Sequence, residues 1–96
     1  MKTLQEIRQI LIHHKSNLFA QYPIRSLAIF GSIARNEQSE KSDLDILVEL
    51  DGKIGIRFID LADEIEAITG IKVDLVSKKG IKDKYLNSIT SDLIYV

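Results

Sequence analysis

The sequence predicts a small α/β domain with two layers, in which a mixed β-sheet carries helices packed on one face. Segments with the apolar spacing of helices alternate with short apolar runs typical of strands, in the order helix, strand, helix, strand, helix, strand. The chain also has 96 residues, which suffices for one core but leaves no room for a second lobe. We therefore expect residues 1–96 to form a single domain with one sheet face available for chemistry.

The first helix is predicted over residues 4–20. The side chains of Thr3 and Glu6 can bond each other's backbone N–H groups, which is the capping box that starts many helices. Pro23 then ends the helix, and the apolar run 26–30 predicts a buried strand. Side chains on one face of this helix recur at helical spacing and are expected to be buried, namely Leu4, Ile7, Ile10, Leu11, His14 and Leu18.

A tight turn and a short helix are predicted at 31–35, followed by a polar loop at 36–42. Residues 43–50 predict a second strand, whose two aspartates share one face with Leu47 and Glu49. The later elements are a helix over 55–69 capped by Gly70, a third strand over 73–76, a short helix over 82–87 and a short strand over 93–96.

Composition argues against several classes of function. The net charge of −1 argues against tight binding to a nucleic-acid backbone, because such binding needs a basic excess. The absence of cysteine excludes disulfides and thiolate zinc sites. No apolar segment is long enough for a signal-peptide core or a membrane span. We therefore expect a cytoplasmic protein that binds neither nucleic acid nor membrane.

Three aspartates are the candidate metal ligands. Alternation along a strand places Asp43 and Asp45 on one face, with Cα atoms roughly 6.5–7 Å apart. Two carboxylates that point together repel each other, and a divalent cation removes the repulsion. Asp74 lies in the third strand, and it comes within reach if the two strands are neighbours about 4.8 Å apart. Three carboxylates can hold two metal ions, which stabilise the attacking and leaving oxygens in phosphoryl transfer.

Gly31 and Ser32 supply the second half of the predicted site. A glycine after a strand lets the backbone turn sharply and approach a ligand closely. Ser32 then lies near the start of the short helix, where free N–H groups and the helix dipole favour phosphate. A phosphate-binding turn beside metal-binding carboxylates predicts a bound nucleoside triphosphate.

These residues resemble a known family. The segment Gly31-Ser32-Ile33-Ala34-Arg35, followed by Ser42-Asp43-Leu44-Asp45 and a lone Asp74, resembles the DNA polymerase β-type nucleotidyltransferase superfamily, in particular its minimal nucleotidyltransferase (MNT) domains. The resemblance covers nearly the whole chain and implies the polymerase β-like fold. Family members commonly have glycine where this chain has Asn36, and asparagine tolerates the left-handed conformation better than most residues.

The resemblance implies a role for each site residue. It implies that Ser32 contacts the triphosphate, and that Gly31, Arg35 and Ser42 also belong to the nucleotide site. It implies that Asp43 and Asp45 bind two Mg²⁺ ions, for which Mn²⁺ can substitute. Asp74 would complete the catalytic metal site and help to deprotonate the acceptor hydroxyl.

The resemblance also implies a partner. MNT domains are typically paired with an all-helical HEPN protein, a ribonuclease toxin, and similar antitoxins attach AMP from ATP to a tyrosine of that partner. The expected function is therefore adenylylation of a HEPN toxin within a hetero-oligomer. Two alternatives stay open. One is a non-catalytic, nucleotide-binding antitoxin that blocks its partner sterically. The other is transfer to a small molecule, for which a second domain would be needed.

Several of these residues also allow simpler interpretations. An Asp-x-Asp pair by itself is typical of a solvated strand face, Ser32 is also a suitable helix N-cap, and Arg35 can brace the loop instead of touching phosphate. His13 and His14 are interpreted as ordinary residues of the first helix. The basic residues Lys78, Lys79, Lys82 and Lys84 are interpreted as a solvated face, and Tyr22, Tyr85 and Tyr95 as core or interface residues.

Overall fold

The computed structural model describes residues 2–96, which form a four-stranded mixed sheet with helices on both faces. The strand order is β3-β2-β1-β4, with β2 antiparallel to β1 and parallel to β3, and with β4 antiparallel to β1. The elements in chain order are α1 (Leu4–Gln21), β1 (Ile24–Phe30), α2 (Gly31–Ala34), β2 (Leu44–Leu50), α3 (Arg57–Thr69), β3 (Val73–Ser77), α4 (Asp83–Ile89), a 3₁₀ turn (Thr90–Asp92) and β4 (Ile94–Tyr95). The predicted fold class is confirmed.

Helix α1 begins at the predicted capping box. The Thr3 hydroxyl accepts a hydrogen bond from the Glu6 N–H at 3.1 Å, and the Glu6 carboxylate accepts one from the Thr3 N–H at 3.0 Å. The apolar stripe is buried at Ile7, Leu11 and Leu18, whereas His14 is only half-buried. Within residues 2–96, none of the helices has both the length and the apolar character that crossing a membrane requires.

The main core lies between the sheet and the two long helices. Helices α1 and α3 contact each other and pack on the same face of the sheet. Gly70 ends α3 in the left-handed conformation with φ of 70°, as the sequence predicts. The side chains that fill this core alternate along β2 and, past the irregularity between Ile24 and Ser26, along β1; they are Ile24, Leu27, Ile29, Leu44, Ile46, Val48 and Leu50.

The opposite face of the sheet is less open than the sequence predicts. Helix α4 packs there and buries Phe30 and Leu47 in a second, smaller apolar cluster with its own Ile89. Leu47 lies on the aspartate-bearing face, as expected, but α4 covers it, so only 3% of its surface is exposed. The prediction that the helices pack on one face of the sheet is therefore correct for α1 and α3 and wrong for α4.

The starts of β1 and α3 each differ by two residues from the predicted ones. Strand β1 begins at Ile24, two residues earlier than predicted, because Ile24 pairs with Leu50 across an irregularity in the ladder between Ile24 and Ser26. Helix α3 begins at Arg57 rather than at 55, because Gly55 has φ of 57°, outside the right-handed helical region.

Candidate functional site

A row of paired residues crosses the sheet at the start of β2. Asp74 on β3 pairs with Asp45 on β2, and Asp45 pairs with Phe30 on β1. Side chains of residues directly opposite each other point to the same face of a sheet, so these three lie side by side. The condition under which Asp74 comes within reach of Asp45, that their strands are neighbours, is therefore met. We call Asp74, Asp45 and Phe30 the site row.

Like charges converge on Asp45. Burial raises the pKa of the Asp45 carboxyl above its ordinary value, and the carboxylates of Asp74 and Asp43 raise that pKa further, whereas Arg35 lowers it. Asp43 lies one residue before β2 and is exposed, as is Asp74. The ionised form of Asp45 is thus disfavoured until a positive charge arrives, which is the setting in which a divalent cation binds favourably.

The donor set of this site suits Mg²⁺, which prefers oxygen ligands. Within residues 2–96, no group of three or more histidine, cysteine, aspartate or glutamate side chains is arranged to hold a metal ion. Mg²⁺ usually keeps several waters and takes further ligands from substrate phosphates, with only one or two carboxylates from the protein. The aspartates therefore fit a metal that is shared with a bound nucleotide.

The backbone of Gly31 presses against the carboxylate of Asp45. Gly31 has φ of 78°, and a Cβ atom added there would overlap an Asp45 carboxylate oxygen and lie 3.1 Å from Cγ. Only glycine combines this conformation with this approach. The predicted phosphate-binding turn and the predicted metal-binding carboxylate are consequently in direct contact.

Ser32 and Asn36 lie at either end of this turn. The N-cap position of α2 is Phe30, and no side chain caps the helix, so the interpretation of Ser32 as an N-cap is wrong. Asn36 has φ of 60°, and its N–H donates to the carbonyl of Ile33 at 3.1 Å. The left-handed conformation expected at Asn36 is therefore present, and the turn closes without glycine at that position.

Arg35 braces the site from one side. Its Nη1 donates to the Asp92 carboxylate at 2.7 Å, and its Nε donates to the Glu37 carboxylate at 3.0 Å. These contacts raise the pKa of Arg35 and tie the end of α2 to the 3₁₀ turn. The bracing interpretation thus accounts for the contacts of the guanidinium, and a contact between Arg35 and phosphate stays a prediction.

The loop before β2 is shaped by Ser42. The Ser42 hydroxyl accepts a hydrogen bond from the Ser39 N–H at 2.9 Å, and the Ser42 N–H donates to the Ser39 carbonyl at 3.0 Å. A contact between Ser42 and nucleotide stays a prediction. A cleft of about 500 Å³ opens beside this loop, and it is lined by Lys2, Ile33, residues 38–43 and residues 70–72. Sequence reasoning missed this cleft.

Sequence reasoning also missed an aromatic ring beside the site row. Tyr85 on α4 packs edge-to-face on Phe30, with ring centroids 6.5 Å apart and an interplanar angle of 81°. The tyrosine side chain is 47% exposed, while Phe30 is buried. The helical spacing of Tyr85 and Ile89 was the available signal, because it places both residues on one side of α4.

The chain is similar in sequence to known nucleotidyltransferase domains. The family model described as a nucleotidyltransferase domain matches residues 5–96. The chain is 53% identical over 98 residues to a candidate protein adenylyltransferase of Methanocaldococcus jannaschii, with all of both chains covered. It is 38% identical over 97 residues to the protein adenylyltransferase MntA of Thermococcus cleftensis, covering 100% of this chain and 98% of the relative.

Solved structures show the same fold. A minimal nucleotidyltransferase superimposes with a TM-score of 0.83 at 30% identity, covering 97% of this chain and 95% of that one. A chain from a complex of tri-AMPylated HEPN toxin with MNT antitoxin of Shewanella oneidensis superimposes with a TM-score of 0.70 at 18% identity, covering 97% of this chain and 71% of that one. The second similarity establishes shared architecture alone.

Proposed function

Because the chain belongs to the nucleotidyltransferase domain family, we propose that it transfers AMP from ATP to a tyrosine hydroxyl of a HEPN toxin and thereby acts as its antitoxin. The two relatives named as protein adenylyltransferases support the reaction class. The complex of a modified HEPN toxin with an MNT antitoxin supports the class of partner.

The observation that carries this proposal is the pairing of Asp45 with Asp74 beside a turn that touches the Asp45 carboxylate. The proposed ligands of the two Mg²⁺ ions are Asp43, Asp45 and Asp74, together with phosphate oxygens of ATP. When bound, Mg²⁺ neutralises charge on the phosphate oxygens and on the leaving pyrophosphate.

The strand order suggests which side of the site each substrate occupies. Asp45 lies on a central strand, with the Gly31–Ser32 turn on one side and Asp74 on the other. The triphosphate is proposed to lie on the side of the turn. Asp74 is exposed on the edge strand β3, so a partner protein can approach it from solvent.

The proposed reaction is a single displacement at phosphorus. The tyrosine oxygen attacks the α-phosphorus of ATP, and the bond from that phosphorus to the bridging oxygen breaks, so that pyrophosphate leaves. Asp74 is the proposed acceptor of the hydroxyl proton, because it is exposed on the edge strand β3, where a partner can approach. Asp43 and Asp45 would hold the Mg²⁺ that binds the reacting phosphate.

The experiment mixes the protein with a HEPN partner and ATP labelled at the α-phosphate, and measures both labelling and neutralisation of the toxin. Asp43→Asn and Asp45→Asn are expected to abolish both. Glu49→Gln is the matched control, because Glu49 lies on the same face of β2 but contacts Ser26 at 3.3 Å and Lys78 at 3.9 Å, away from the site row. This variant is expected to label the partner like the wild type.

The alternatives give different results. Neutralisation that survives in Asp43→Asn and Asp45→Asn, without labelling, would support steric blocking. Labelling that survives in both variants would refute the assignment of the metal ligands. Labelling of a small hydroxylated molecule by the chain alone, with none on the partner, would support a small-molecule transferase.

A further inference from the structure

We propose that Tyr85 forms the wall on which the base of the bound nucleotide stacks, an inference that rests on the proposed function because it takes the triphosphate to lie at the Gly31–Ser32 turn. It assigns to this site a residue that positions the nucleoside half of the substrate.

Two short helices flank the site row. At one side of the row, β1 ends at Phe30 and the chain enters α2 through Gly31, which touches Asp45. At the other side, α4 covers the next row of the sheet, where Leu47 and Val76 pair with each other. A ligand above Asp45 is therefore bordered by α2 on one side and by α4 on the other.

Tyr85 lies on the part of α4 that contacts the site row. Its ring is edge-to-face with the ring of Phe30, the residue of the site row that pairs directly with Asp45. Phe30 is 3% exposed and holds Tyr85 in place, while almost half of the Tyr85 side chain, 47%, remains accessible. Edge-to-face packing on a buried ring orients an aromatic side chain and leaves part of its surface free for a further contact.

A nucleoside triphosphate offers one large apolar surface, the face of its base. With phosphates at the turn and at the carboxylates, the base is the part that requires an apolar contact. Two exposed aromatic side chains occur among the large hydrophobic residues of positions 2–96, Tyr85 and Tyr95. Tyr95 pairs with Ala28, one row away from Phe30 and on the edge strand β4. Tyr85 is therefore the aromatic side chain suited to stack on the base.

The test measures binding of a non-hydrolysable ATP analogue by isothermal titration calorimetry. It uses the whole chain in the presence of Mg²⁺ and without a partner protein. Stacking of a base on an aromatic ring contributes about 1–3 kcal/mol, so Tyr85→Ala is expected to weaken binding roughly five- to 150-fold. Tyr85→Phe keeps the ring and is expected to bind like the wild type. Tyr95→Ala is the matched control, an exposed tyrosine removed from a neighbouring row, and is also expected to bind like the wild type.

Two further ligands separate stacking from a general structural effect. Inorganic triphosphate with Mg²⁺ has no base, so wild type and Tyr85→Ala are expected to bind it equally. The corresponding GTP analogue should lose as much affinity as the ATP analogue, because every base has an aromatic face. Tyr85→Leu keeps apolar packing against Phe30 without an aromatic face, and it replaces Tyr85→Ala if circular dichroism shows that the alanine variant does not fold.

The possible failures are distinguishable. If the wild type binds the nucleotide and Tyr85→Ala binds it equally well, the stacking inference is wrong and the proposed function stands. An equal loss of affinity for nucleotide and for inorganic triphosphate would also overturn the stacking inference. A defect seen only in labelling of the partner at saturating ATP would overturn it too, because Tyr85 would then act on the acceptor. If the wild type binds neither ligand, the proposed function fails and the inference fails with it.

Discussion

Alanine at position 31 is expected to damage the site far more than the fold. Gly31 has φ of 78°, and a residue with a Cβ atom in the left-handed region costs about 1–2 kcal/mol. The new Cβ atom would in addition overlap the Asp45 carboxylate, whose Cγ and Cβ lie 3.1 and 3.3 Å from the ideal Cβ position. Asp45 would have to move, and a displacement of about 1 Å at a reacting centre costs on the order of 10²-fold in rate.

Gly55→Ala separates the two effects. Gly55 also has positive φ, 57°, but a Cβ atom there meets nothing within 4 Å. Both variants are expected to lower the melting temperature by about 5–15 °C through backbone strain. The assay measures the melting temperature by scanning fluorimetry with an added dye, and the initial rate of AMP transfer to the partner. Gly55→Ala is expected to keep the wild-type rate at a temperature where all proteins are folded.

The same assay can refute a catalytic role for the contact between Gly31 and the Asp45 carboxylate. If Gly31→Ala transfers AMP as fast as Gly55→Ala, the contact between the turn and the carboxylate has no catalytic role. If both variants lose activity equally, backbone strain alone explains the loss.

Three further predictions follow from the ionised groups. Glu6→Ala should destabilise the protein at pH values above 4.5, the ordinary glutamate pKa, because hydrogen bonds from Thr3 lower the pKa of Glu6 in the folded state. The difference in melting temperature from the wild type should vanish as the pH falls through the folded-state pKa of Glu6. A pH-independent difference would contradict this assignment. Asp74→Asn should raise the free energy of unfolding without Mg²⁺ by about 0.5 kcal/mol, since it relieves repulsion with Asp45, yet abolish AMP transfer; denaturant titration and partner labelling test both parts. Arg35→Ala and Asp92→Asn should weaken ATP binding to the same small extent if Arg35 acts as a brace, whereas a much larger loss in Arg35→Ala alone would indicate a direct phosphate contact.

The parts of the site that the sequence predicts correctly depend on local rules. Alternation along β2 places Asp45 on the face opposite Ile46, and a glycine directly after β1 marks the sharp turn. The left-handed conformation of Asn36 likewise follows from the residue type. Each of these features is decided by a few neighbouring residues, so the sequence is sufficient to predict it.

The parts that the sequence does not predict depend on distant contacts. The partner of Arg35 is Asp92, 57 residues further along the chain, and no local pattern connects the two. The apolar residues of α4 fit either face of the sheet, and only the folded chain shows that they cover Leu47 and bring Tyr85 to Phe30. The early start of β1 depends in the same way on the pairing of Ile24 with Leu50.

The most direct test of the proposed chemistry is a crystal structure of the chain with a non-hydrolysable ATP analogue and Mn²⁺, which is located by its anomalous scattering. We expect anomalous signal in contact with Asp43, Asp45 and the phosphates, with Asp74 facing a cation bound there and the triphosphate along Gly31 and Ser32. A nucleotide bound elsewhere, or a bound nucleotide with no anomalous peak and with Asp74 turned away from Asp45, would contradict it.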